Sequence, residues 1–234
     1  MTRVFAALIR HGEFERPTDV PSAHLPHPLT PDGERNMAAS ASRVLEHAEE
    51  LGAALHPTIE CSPLLRAWQS ARILADALAA RTGRRFALVE RPELQERSLG
   101  SAANLTVGEI EDAVARDPRH PALPPGWRRN PRFRLPLPGA ESLMDAGARA
   151  ARRITIDLAA LAATARCDTL ELVVAHGGAL RHAAVHLGVL PIEQAPFLSM
   201  EYGEPVVIER LEGGRWAHAA GQWKKRLKET GGTD

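Results

Sequence analysis

The spacing of hydrophobic and polar positions changes several times along the chain, and each change marks an element. Val4–Ile9 is a short apolar run rich in strand formers and predicts a buried strand. From Glu13 to Leu29 the periodicity is lost in a loop rich in Pro and His. Thr30-Pro31 then places a hydroxyl cap before a proline at the first helical position. Met37, Ala41, Val44, Ala48 and Leu51 follow in steps of four and three, giving one apolar helix face. Thr58–Ser62 predicts a second strand. Ser62-Pro63 repeats the cap-then-proline signal and opens a helix whose inner stripe is Leu64, Trp68, Ala71, Ala75 and Leu78. Phe86–Val89 predicts a third strand and Thr106–Ala115 a short helix.

The pattern breaks between Asp117 and Pro138, where seven of the 18 prolines and five arginines fall, which predicts an irregular insertion or lid. Helical spacing returns over Ser142–Ala163, with Leu143, Ala150, Ile154, Leu158 and Leu161 inward. Leu170–Ala175 predicts a strand and Ala179–Leu187 a helix. Val206–Leu211 and Arg215–Ala219 flank Glu212-Gly213-Gly214 as a hairpin, and Lys224–Lys228 is a basic tail with the character of a solvated end. There is no internal repeat. Strands alternating with helices predict one α/β domain over residues 1–234, with residues 117–138 as an insertion inside it. The expected architecture is a three-layer α/β/α sandwich with a mostly parallel central sheet.

Charge narrows the function. Lys+Arg and Asp+Glu both number 29, so no global field favours nucleic acid or an anionic membrane, and any anion-binding charge must be local. The two cysteines, Cys61 and Cys167, do not make a disulfide scaffold and fit a reducing compartment. The N-terminus lacks a signal-peptide pattern, and no apolar run approaches the ~20 residues of a membrane span, so a cytoplasmic location is expected. Neither nucleic acid nor a membrane is an expected partner. Oligomeric state stays open, a homodimer included.

The candidate chemistry lies at strand ends. His11 follows the first strand and His176 the Leu170–Ala175 strand, and each is followed by glycine. Carboxyl ends of strands in open α/β sheets form the ligand crevice, and glycine there lets a ligand approach the backbone. Arg10 precedes His11, Arg66 lies in the first turn of the helix after Ser62-Pro63, and Glu96 follows the third strand. Arginine forks match phosphate oxygens, a neutral imidazole can attack phosphorus, and a carboxylic acid can protonate the leaving oxygen. Cationic side chains of this kind need no metal, and no cofactor is expected.

These residues sit in six ordered blocks. Arg10-His11-Gly12-Glu13, Leu29-Thr30-Pro31-Asp32-Gly33 and Ser62-Pro63-Leu64-Leu65-Arg66-Ala67 come first. Leu94-Gln95-Glu96-Arg97-Ser98-Leu99-Gly100, Pro138-Gly139-Ala140-Glu141-Ser142 and Val174-Ala175-His176-Gly177-Gly178-Ala179-Leu180-Arg181 follow. Together they resemble, in order, the motifs of the histidine phosphatase superfamily, in its phosphoglycerate mutase-like branch. The resemblance implies that His11 becomes phosphorylated, that Arg10, Arg66, His176 and Gly177 bind the phosphoryl group, and that Glu96 is the proton donor. It implies a phosphatase acting on a small phosphorylated metabolite, with a mutase as the first alternative and a catalytically weak phospho-ligand or phosphoprotein binding module as another. Mutases of the family usually carry Asn where this chain has Gly178, and Trp-Asn where it has Arg16-Pro17. Many phosphatases carry Trp-Glu-Gly where it has Ala102-Ala103-Asn104. The phytase-like branch places its acid at the position of Gly177.

Other residues carry weaker signals. His182 and His186 share a helix face but lack a third ligand at zinc spacing, which favours packed or exposed histidines over a metal pair. His24 and His27 read as ordinary residues of the loop, with a place on the rim of the crevice as the alternative. Glu141 reads as a structural acid at a helix start, with a place lining the crevice as the alternative. Arg128 and Arg129, with Arg132 and Arg134 beside them, are either substrate contacts or a solvated charge run.

Overall fold

The computed structural model describes residues 2–226. In chain order the first half contains β1 (Val4–Arg10), α1 (Pro31–Glu50), β2 (Ala54–Cys61), α2 (Leu65–Thr82), β3 (Ala87–Glu90) and α3 (Val107–Ala115). The second half contains α4 (Leu143–Thr164), β4 (Thr169–Ala175), α5 (Gly177–His186), β5 (Leu198–Ser199), β6 (Pro205–Arg210), β7 (Trp216–Ala220) and β8 (Lys224–Lys225). A six-stranded sheet runs in the order β3-β2-β4-β1-β6-β7. Its first four strands are parallel, and the β6–β7 hairpin closes one edge antiparallel.

Burial of β1 on both faces explains its unbroken apolar run. Phe5, Ala7 and Ile9 enter a core with Met37, Val44, Leu74 and Leu78 from α1 and α2. Val4, Ala6 and Leu8 enter a second core with Ile154, Leu158 and Leu180 from α4 and α5. Two cores on opposite faces of one sheet make the three layers. Helix starts are sharply specified. Thr30 accepts the Gly33 N–H with Pro31 behind it, and Thr106 with Glu109 and Ser142 with Asp145 form capping boxes. Each such cap contributes ~0.5–2 kcal/mol.

Some expectations change. Ser62 does not cap α2, which starts at Leu65 behind Leu64 with no side-chain cap. The Ser62 hydroxyl is turned instead toward His176. The helix begins two residues later than the Ser-Pro pair suggested, and Trp68 lies at the edge of its buried face, 38% exposed. The start of α4 is capped by Ser142 and Asp145, so Glu141 is not a dipole-side cap and pairs with Arg149. Lys224 and Lys225 pair with Ser199 and Leu198 as a short second sheet rather than lying free, while Lys228 lies outside the described residues.

The segment 117–138 contains only one turn of 3-10 helix, Trp127–Arg129. Its prolines lack donors and cannot join a ladder. It still has a small core: Trp127 and Leu135 cluster with Leu99, Ala102, Ile110, Ala140 and, from the Pro/His loop, Ala23. The indole Nε1–H of Trp127 donates to Glu111 on α3 at 3.0 Å.

Candidate active site

Register places the site. Arg10 pairs with Ala175 across β1 and β4, so the residues after them, His11 and His176, emerge side by side at the carboxyl ends of the strands. The rings lie 5.1 Å apart between centroids. Cys61 of β2 pairs with Val174, which brings Ser62 and the first turn of α2 to the same edge. The loop after β3 carries Glu96 there too. All five side chains proposed for chemistry therefore meet at one end of the sheet.

His11 is 3% exposed. Its Nδ1 lies 2.7 Å from the carbonyl oxygen of Gly12, which can only accept, so Nδ1 carries the proton. Nε2 then holds the lone pair, and Arg66 Nε donates to it at 3.2 Å. Burial, followed by the Arg66 and Arg10 charges, pushes the His11 imidazole well below its ordinary 6.5. The ring is then neutral at physiological pH, the form in which an imidazole can act as a nucleophile. The turn after it is held by close backbone packing. A Cβ on Gly12 would stand 2.3 Å from the Gly33 carbonyl oxygen. The Gly12 N–H donates to Ser70 Oγ at 3.0 Å, and that hydroxyl donates to the Arg66 carbonyl.

Arg66 is completely buried. Its Nη1 and Nη2 donate to the Leu25 and Ala23 carbonyls at 2.9 and 2.7 Å, and its guanidinium lies over the Phe14 ring. Burial pulls it down to about 10, which leaves it charged at neutral pH. The Pro/His loop is thus part of the site: it supplies the acceptors that hold Arg66, and His24 Nε2 donates to the Glu96 carbonyl at 2.8 Å. Arg10 donates through Nη1 to the Met200 carbonyl and lies 4.1 Å from the Tyr202 ring centroid. Its stem passes over Gly177, where a Cβ would come within 3.1 Å of Arg10 Cδ. The Arg10 Nε is buried without a partner.

His176 is fully buried and is also pushed well below its ordinary value, first by burial and then by Arg66. The Ser62 hydroxyl accepts the Leu64 N–H and meets His176 Nε2 at 2.8 Å. The other ring nitrogen, Nδ1, is buried with no protein partner. Glu96 sits opposite. Its Oε2 accepts the Gly178 N–H at the start of α5 at 3.0 Å, and its Oε1 accepts the Arg97 N–H at 2.9 Å. One buried and one half-buried guanidinium group, an unpartnered arginine Nε–H and an unpartnered imidazole nitrogen beside a neutral imidazole lone pair are the groups a cradle for a phosphoryl dianion needs.

The insertion arginines divide. Arg134 pairs with Asp145 at the cap of α4. Arg132 lines a groove with Met144, His186 and Leu190, at the end of α5 away from the site. Arg128 and Arg129 make no ion pair among the described residues. His182 is buried with Nδ1 on the Gly178 carbonyl, and His186 bonds the Met144 carbonyl, so each ring is committed to backbone rather than paired with the other. Tyr202, Ser62 and Ser70 also belong to the candidate site with no sequence signal of their own for that role, and Gly178, noted in the sequence only for the Asn it replaces, bonds the Glu96 carboxyl. Only Ser62 and Gly178 lie within motif blocks, where their neighbourhood was the available signal.

The sequence model of the histidine phosphatase superfamily (branch 1) matches residues 6–222. The chain belongs to that superfamily. All six motif blocks lie inside the matched region. No curated protein matches the chain. Among solved structures, a mycobacterial glucosyl-3-phosphoglycerate phosphatase is similar with a TM-score of 0.66 at 22% identity, over 96% of this chain and 98% of that one. The alpha-ribazole phosphatase of Shigella flexneri gives a TM-score of 0.66 at 21% identity, over 94% and 96%. The phosphoglycerate mutase of Bacillus anthracis gives 0.65 at 17% identity, over 94% and 92%. These likenesses establish the phosphoglycerate mutase-like fold. No described helix is long and apolar enough to cross a membrane.

Proposed function

We propose that this chain is a metal-independent phosphatase that hydrolyses a small phosphorylated metabolite through a phosphohistidine on His11. The observation that carries this reading is the fixed tautomer of His11: Nδ1–H on the Gly12 carbonyl and the Nε2 lone pair beside the Arg66 guanidinium. The Nε2 lone pair attacks phosphorus while the bond to the leaving oxygen breaks, and protonated Glu96 gives its proton to that oxygen. Water then attacks the phosphohistidine, Glu96 takes the proton from it, and the P–N bond breaks to release phosphate. Arg10 and Arg66 balance the phosphoryl charge through both steps, a part that a divalent cation plays in other phosphoryl-transfer sites. Two of the structural neighbours bear the names of phosphatases acting on small phosphate monoesters, which supports the substrate class. Gly178 supports hydrolysis over transfer: Glu96 occupies the space that the Asn usual in mutases would need.

The test is phosphate release from a panel of small phosphomonoesters in the presence of EDTA, with a mutase assay beside it and acid-labile phosphoprotein trapped by rapid quench. Release with a transient acid-labile phosphate, both abolished in His11→Ala, is the expected result. Return of phosphate to the substrate faster than to water would make it a mutase. Absence of release from every ester would make it a binding module.

A further inference from the structure

The loop that carries Glu96 belongs to no strand. Between the end of β3 at Glu90 and the start of α3 at Val107 it has only two single turns of 3-10 helix, Pro92–Leu94 and Gly100–Ala102. No sheet ladder fixes the backbone of an acid whose carboxyl must meet one oxygen atom. A side chain from α4, distant in sequence and packed against the loop, does much of this instead.

That side chain is Arg149, in the second turn of α4. A guanidinium has five N–H donors, and all five are committed here. Nη1 donates to the Glu93 and Gln95 carbonyls at 2.8 and 3.0 Å. Nη2 donates to the Glu96 carbonyl at 3.1 Å and to Glu141 Oε2 at 2.7 Å, and Nε donates to Glu141 Oε1 at 2.8 Å. Glu141 extends the grip, because its Oε2 also accepts the Ser98 N–H at 3.0 Å while its own N–H donates to the Ser98 carbonyl at 2.9 Å. The backbone is therefore held at residues 93, 95, 96 and 98, on both sides of the carboxyl that acts. On the near side the His24 ring holds the same Glu96 carbonyl. Arg149 hydrogen-bonds none of His11, Arg10, Arg66 or His176, so its effect must pass through the loop.

We infer that Arg149, buttressed by Glu141, is the positioning residue of the leaving-group acid: it sets where the Glu96 carboxyl stands and touches no reacting atom. This rests on the reading of Glu96 as that acid. Lysine cannot replace it, since a point ammonium with three donors cannot span three carbonyls and a bidentate carboxylate.

The experiment is a double-mutant cycle of Arg149→Lys and Glu96→Gln, assayed on an alkyl phosphate and on an aryl phosphate with an acidic leaving group. Arg149→Lys should lower kcat on the alkyl ester by about ten- to a hundredfold, leave KM close to wild type, and cost much less on the aryl ester, whose departure needs little acid help. In the Glu96→Gln background the same change should cost almost nothing further, because a displaced acid and an absent acid are equivalent. Guanidinium ion added to Arg149→Ala should restore part of the alkyl-ester rate. A uniform loss on both esters, additive with Glu96→Gln, would mean that Arg149 only supports the fold and would overturn the inference. If Glu96→Gln itself failed to discriminate between the esters, the acid assignment would fall and the inference with it. Should Arg149→Lys not fold, Glu141→Gln decides by the same comparison, since it keeps the Ser98 bond and removes the ion pair.

Discussion

Glu96 lies where a side chain on Gly178 would have to be. A Cβ built on Gly178 stands 2.5 Å from Glu96 Oε1 and 2.8 Å from Oε2, and the Gly178 N–H is one of the two backbone donors to that carboxyl. Residue 178 is in α5, where alanine is intrinsically favoured over glycine by ~1 kcal/mol. Gly178→Ala should therefore leave the melting temperature close to wild type, the overlap offsetting the helical gain, while lowering kcat on alkyl phosphates by about ten- to a hundredfold, as the acid is pushed off its mark. Wild-type turnover in that variant would show that Glu96 works from another position.

His11 and His176 should stay neutral across the physiological range. Burial and the neighbouring arginines hold both below the ordinary 6.5. A group whose folded value is depressed leaves the unfolded chain to take up the proton first. The stability tied to these two rings is thus present above about pH 6.5 and is lost as pH falls below it. Imidazole NMR signals of the two residues should show no protonation step between about pH 8 and pH 6, while the melting temperature declines below that range. A protonation step near 6.5 for His11 would contradict its environment.

A second buried group has the opposite sign. Glu171 is 3% exposed on the α4 face of β4, and its Oε2 has no partner. Burial, with Asp157 and Glu60 nearby and Arg91 and Arg153 only partly offsetting them, pushes its carboxyl up to about 8. The folded protein keeps Glu171 protonated where the unfolded chain ionises it from about 4.5 upward, so its contribution is complete below 4.5 and is lost as pH rises through about 8. Glu171→Gln keeps the shape without the titration. It should gain on the order of a few kcal/mol over wild type in alkaline solution and little in acid. Urea unfolding at several pH values measures this, and identical pH slopes for the two proteins would rule out Glu171 as the source.

Much of the site was legible because its residues follow apolar strands, and strand ends are where a parallel sheet gathers function. Arg10, His11 and His176 needed only the register of two neighbouring strands to come together. What escaped was held by contacts between segments far apart in sequence. Tyr202 lies in the turn before β6, bridged to Arg10 backbone to backbone, and nothing around it resembles a motif. Arg149 has the look of any charged residue on the outer face of an amphipathic helix, and only the loop folded against it gives it five acceptors. Ser62 looked like a helix cap because Ser-Pro is a helix-start pair. The helix starts later, and the hydroxyl is released for His176. Trp68 lies off the buried stripe of Ala67, Ser70, Ala71 and Leu74, so its apolar character misleads about the phase of the first turn.

The insertion arginines can now be separated. Trp127 clusters with Ala23, whose carbonyl binds Arg66, and with Leu99, three residues beyond Glu96. Arg128 and Arg129 follow on the same one-turn helix, so they are carried by a segment packed on the walls of the site and have no ion-pair partner among the described residues. Arg134 is committed to Asp145, and Arg132 to a groove at the far end of α5. A substrate bearing a second anionic group beyond its phosphoryl should therefore depend on the first pair and not on the second. Arg128→Ala and Arg129→Ala should raise KM for such a substrate by about two- to tenfold, the range expected of partly exposed charge pairs, with kcat little changed. The effect should shrink at high salt, where exposed charges are screened within ~3 Å. Both variants should spare a neutral aryl phosphate, whose phosphoryl group would still meet the proposed cradle of Arg10, Arg66 and His176. Arg132→Ala and Arg134→Ala should match wild type in KM on both substrates, with at most a small loss of stability for Arg134. Uniform wild-type kinetics in all four variants would make the run a solvated charge cluster and leave recognition of a second anion to the residues around Glu96.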